Sequence, residues 1–75
     1  MKLSNNDIYK KITIALSLKD QDCMRIFEMG GYIATRSYCK FLLKADDNSE
    51  FKELTNEALN CFLQGLIIYK RELNL

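Results

Sequence analysis

The sequence predicts a small all-α protein: four helices packed orthogonally around one core, with a helix-turn-helix-like centre. Three observations carry that expectation. Proline is absent from all 75 residues. The alternation of apolar and polar residues that marks strands is hard to find. Apolar residues instead recur at three- and four-residue spacing between polar residues suited to helix ends. Residues 1–75 then make a single helical domain, of a size that buries only about 60% of its unfolded surface.

The first helix is expected to start after Ser4-Asn5-Asn6, whose side chains can cap free N–H groups. Asp7 lies in its first turn, where the helix dipole favours an anion. Ile8, Ile12, Ala15 and Leu16 give its buried stripe, Lys10 and Lys11 stay wet, and it ends near Leu18. Asp20 is the expected cap of the second helix. Cys23, Met24, Ile26 and Phe27 are apolar along it, and Gly30-Gly31 stop it through the left-handed geometry that glycine tolerates. Thr35 then caps a third helix with Cys39, Leu42 and Leu43 inward, Arg36 and Lys40 outward, and Lys44 in the final turn.

Residues 45–50 offer no apolar period and read as the one long connection, pinned by Phe51 and Leu54. Asp46, Asp47 and Glu50 lack the ligand spacing and central glycine of an EF-hand, so they read as a solvated acidic loop. Thr55 caps the last and longest helix, with Leu59, Phe62, Leu63, Leu66 and Ile67 expected inward. Gly65 interrupts that helix. An interior glycine costs about 1 kcal/mol relative to alanine, which predicts a backbone that another element approaches closely.

Composition narrows the function classes. Eleven basic and ten acidic residues leave a net charge of +1, which signals no polyanion partner by itself. No run reaches the roughly 18 apolar residues of a membrane span. The first six residues lack the apolar core of a signal peptide, so the expected location is the cytoplasm. Cys23, Cys39 and Cys61 form no Cys-x-x-Cys pair and no histidine accompanies them. They read as small core hydrophobes rather than metal ligands or activated thiols. No cofactor motif and no spaced acid–base pair occurs, and the expectation is a protein that is not an enzyme.

Gly30-Gly31-Tyr32, Thr35 opening a helix with Leu42-Leu43-Lys44, the acidic loop ending in Phe51, and above all Phe62-Leu63-x-Gly65-Leu66-Ile67 with Lys70-Arg71 carry a resemblance. Over roughly residues 4–71 the chain resembles the YehS-type family of uncharacterised bacterial proteins. The resemblance implies an all-helical fold and supplies no catalytic residues. Members of that family typically carry two tandem copies of this unit, and this chain has one.

The single copy points to an interaction module that self-associates or binds another protein, because symmetry in a homodimer restores a surface that a second repeat would cover. Tyr38 and Phe41 of the third helix and Ile68 and Tyr69 of the last are the candidate contacts. The alternative is a helix-turn-helix-like DNA-binding regulator. Thr35, Arg36, Ser37 and Lys40 of the third helix would then contact phosphates or base edges.

Overall fold

The structure is a computed structural model that describes residues 2–73. Four helices follow in order: α1 Asn5–Ala15, α2 Asp20–Met29, α3 Arg36–Phe41 and α4 Asn56–Leu73. No strand occurs among the described residues, and the expected all-α bundle is what forms. α2 is the central element, packed most extensively on α4 and also on α3, while α1 lies against α4.

Local chemistry sets the helix ends. Ser4 caps α1 as its hydroxyl accepts the Asp7 N–H at 3.0 Å, while the Asp7 carboxylate accepts the Ser4 N–H at 3.1 Å. The two groups satisfy each other's orphan valences. Thr35 and Thr55 cap α3 and α4 as expected, accepting the N–H groups of Tyr38 and Ala58 at 3.0 and 3.1 Å. Asp20, the expected cap of α2, is instead its first helical residue. The boundary lies one residue earlier, where the Lys19 N–H donates to the Asp22 carboxylate at 2.9 Å.

Two helices end in the same motif. At the end of α1 the Ser17 N–H bonds the Ile14 carbonyl and the Leu18 N–H reaches back to that of Thr13. Gly31 and Tyr32 do the same to Glu28 and Phe27 after α2. This pattern needs a left-handed residue just past the helix. Gly31 supplies it with φ +88°, and Ser17 supplies it at φ 53° despite its side chain. α1 therefore stops at Ala15, short of the expected Leu18. α3 also stops early, because Leu43 and Lys44 donate to carbonyls three residues back and tighten the chain out of the helix. Lys44 lies beyond its end.

The core consists of Tyr9, Cys23, Ile26, Phe27, Ala34, Cys39, Leu42, Leu54, Ala58, Leu59 and Phe62. Tyr9, Phe27 and Phe62 meet at its centre, with ring centroids 5.0 to 6.0 Å apart in tilted and edge-on arrangements. The buried side of α1 is Asn6, Tyr9 and Thr13, not the expected stripe. Ile8 and Ile12 are half-buried at its edge, and Ala15 and Leu16 are exposed. α4 is rotated likewise: Ala58, Leu59, Phe62 and Gly65 are buried and Leu66 is half-buried, whereas Leu63 and Ile67 face out. The close crossing that Gly65 demands explains the rotation.

At that crossing two glycines lie back to back. A Cβ on Gly65 would land on the Ile26 carbonyl oxygen and within 2.9 Å of the Gly30 nitrogen. A Cβ on Gly30 would land on the Cys61 carbonyl oxygen and 3.0 Å from the Gly65 nitrogen. Hydrogens occupy both positions, so each Cα–H points at a carbonyl of the opposite helix, a reciprocal pair of weak hydrogen bonds. Gly30 is thus required for space, with φ −86°, and not for the left-handed turn that its neighbour makes.

Asn6 ties the long connection to the bundle. Its buried amide nitrogen donates to the carbonyls of Leu42 at 3.0 Å and Lys52 at 2.8 Å, and its oxygen accepts the Leu54 N–H at 2.9 Å. One side chain thereby replaces the backbone partners that a loop cannot give itself. Asn5 adds bonds to the Leu54 carbonyl and the Asn56 side chain.

Candidate functional site

The third helix is the place to begin, since both functional expectations use it. α3 has six residues, fewer than two turns. It follows α2 across six residues, 30–35, a longer connection than the three or four of a compact helix-turn-helix. The Thr35 hydroxyl is engaged as the cap. Arg36 and Ser37 are exposed at its start, and the Lys40 ammonium lies 3.9 Å from the Asp20 carboxylate of α2. Of the four residues expected to touch nucleic acid, Arg36 and Ser37 have no bond or ion pair here to another side chain among the described residues.

The four expected protein contacts are divided. Tyr38 is half-buried in an aromatic group, 6.0 Å from Phe27 and 5.9 Å from Tyr32 between ring centroids. Burial, then the neighbouring Tyr32 hydroxyl, pushes its phenol upward from the ordinary tyrosine value. Tyr69 is half-buried too, its hydroxyl 3.4 Å from the Asp22 carboxylate. Desolvation first and that carboxylate second raise its pKa. Phe41 is half-buried and Ile68 is 40% exposed. Ile68 stands about 100° round α4 from Ile67, so the two point to different surroundings.

Sequence periodicity missed a larger apolar surface. Leu63 and Ile67, expected inside, are 37% and 48% exposed one turn apart on α4. They lie opposite the face that Gly65 presses onto α2. The signal that could have located them is the glycine itself, because a face that must admit another backbone turns Leu63 and Ile67, on the opposite side of the helix, away from the core.

Other chemistry-bearing groups lie in the core and at the start of α1. The Tyr9 hydroxyl is fully buried and makes no hydrogen bond among the described residues, with the thiols of Cys23 and Cys39 as its polar surroundings. Burial raises the pKa of all three, that of Cys39 to about 11, so these groups stay neutral. A neutral, enclosed thiol is a poor nucleophile. A groove of about 680 Å³ runs between the start of α1 and the 42–54 segment, its rim mixing Asp7, Asp46 and Glu53 with Lys10 and Lys44. The Ser4 backbone N–H, then its hydroxyl, holds Asp7 below the ordinary carboxylate value, which marks it as a capping group. No group of three or more potential metal ligands occurs among the described residues.

The chain is 31% identical over 65 residues to "Uncharacterized protein YehS" of Escherichia coli (strain K12). That match covers 87% of this chain and 42% of the relative, so the chain spans less than half the relative's length. No solved structure matches it significantly. Residues 5–72, nearly the whole bundle, match the family described as "Protein of unknown function (DUF1456)", and the chain belongs to that family.

Proposed function

We propose that this chain is a small non-enzymatic interaction module that binds protein in the cytoplasm, its own copies first among them. The observation that carries the reading is the apolar surface left on α4, where Leu63 and Ile67 are exposed one turn apart outside the core. Clustered apolar exposure of this kind marks interaction surfaces on small soluble domains. The free thiols of Cys23, Cys39 and Cys61 fit a reducing compartment. Light scattering after size exclusion, from low to several hundred micromolar, tests the reading: the mass should rise above 8.8 kDa toward twice that value.

DNA binding is the second reading, supported by Arg36 and Ser37 exposed at the start of α3. It requires a mobility shift at low salt that weakens in Arg36→Ala. An unshifted duplex and single strand at micromolar protein would eliminate it.

A further inference from the structure

The outward face of α4 carries a pattern that names its own partner. Asn56, Asn60, Leu63, Ile67 and Lys70 are spaced by four, three, four and three residues. That is the seam spacing of a helix packed lengthwise on a second helix. Leu63 and Ile67 form its apolar middle. Beside the seam, one residue after Asn56, Leu63 and Lys70, stand Glu57, Gln64 and Arg71, seven residues apart and therefore in line along one flank. All three are exposed, and neither Glu57 nor Arg71 has an ion-pair partner among the described residues.

That flank is negative at the start, a neutral amide at the centre and positive at the end, so it complements itself when reversed. Only an antiparallel pairing brings the flank of one helix against the same flank of another. Resting on the self-association reading, we propose that α4 packs antiparallel on α4 of a second copy, about a two-fold axis beside Gln64. Leu63 then meets Ile67 of the second copy, Gln64 meets Gln64, and Glu57 meets Arg71 on both sides of the axis. The other flank, Leu59 and Leu66, stays turned to the core. α4 is then held between α2 on its glycine face and its symmetry mate on the opposite face.

Charge exchange tests the geometry. Glu57→Lys and Arg71→Glu each turn both symmetric pairs repulsive, and each variant alone should dimerise about tenfold more weakly than the wild type. An equimolar mixture of the two should recover wild-type affinity, because the hybrid dimer has two attractive pairs. Sedimentation equilibrium measures this, with far-ultraviolet circular dichroism to establish that each variant is folded. Leu63→Glu should remain monomeric. A wild-type dimer with no recovery in the mixture would overturn the α4 pairing and leave self-association through another face. A monomer at every concentration would overturn the pairing and self-association together.

Discussion

Replacing Gly65 with alanine sets two known effects against each other. Alanine in place of glycine in a helix interior gains about 1 kcal/mol from propensity. The new methyl would overlap the Ile26 carbonyl oxygen and press on the Gly30 nitrogen. Both are backbone atoms, and that same carbonyl already accepts the Gly30 N–H at 3.1 Å, so no flexible side chain can move aside. Overpacking costs about 1–3 kcal/mol, and a rigid neighbour places this site at the upper end. Separating α2 from α4 also weakens the reciprocal Cα–H contacts, worth about 0.5–1 kcal/mol each.

The net expectation is a loss of roughly 2 kcal/mol, from a total that for a domain this size is about 4–11 kcal/mol. Thermal unfolding followed by circular dichroism should place the midpoint about 8–16 °C lower. Gly65→Leu should lose more, and Gly30→Ala should behave like Gly65→Ala. Gly31→Ala is the control: nothing among the described residues lies within 4 Å of its added methyl, and only the φ of +88° opposes it, at about 1–2 kcal/mol. A Gly65→Ala protein that melts at or above the wild-type midpoint would refute the close-crossing argument.

Three further outcomes follow from the interior. Asn6→Ala leaves two carbonyls and one N–H without their partner and should cost about 2–4 kcal/mol; urea unfolding with a loss under 1 kcal/mol would mean that water replaces the amide. Tyr9→Phe removes a buried hydroxyl that has no partner among the described residues and should leave stability at pH 7 unchanged or slightly higher, whereas a loss above about 1 kcal/mol would reveal a bond to one of the thiols. Because burial raises the pKa of Cys39 from 9.0 to about 11 and also raises those of Cys23 and Tyr9, the folded state holds protons that the unfolded chain releases. Stability should be complete below about pH 9 and fall by up to about 1.4 kcal/mol per pH unit per released proton above it; melting midpoints that stay level from pH 8 to 11 would contradict the enclosed cluster.

Helix number, order, the starts of α3 and α4 and the end of α2 were legible in the sequence, because they are set within a few residues. Ser4, Thr35 and Thr55 cap by reaching three residues along the chain, and Gly31 ends α2 by a conformation intrinsic to glycine. Gly65 announced a crossing for the same local reason: its cost had to be offset somewhere. The inward faces of α2 and α3 were legible too, whereas the tertiary structure decided which side of α1 and α4 turned inward. Apolar residues make up 48% of the chain, more than so small a core can enclose, so the stripes on α1 and α4 are wider than the contacts available to them. Packing chose Tyr9 and Thr13 over Ile8 and Ile12, and on α4 kept Phe62 inside but turned Leu63 and Ile67 out. Gly30's role as a spacer and Asn6's as a buried clasp were equally hidden, because their partners lie 31 to 48 residues away. Caps and turns are fixed by neighbours in sequence, whereas the inward face, and with it the surface left for a partner, is fixed by which backbones can approach each other.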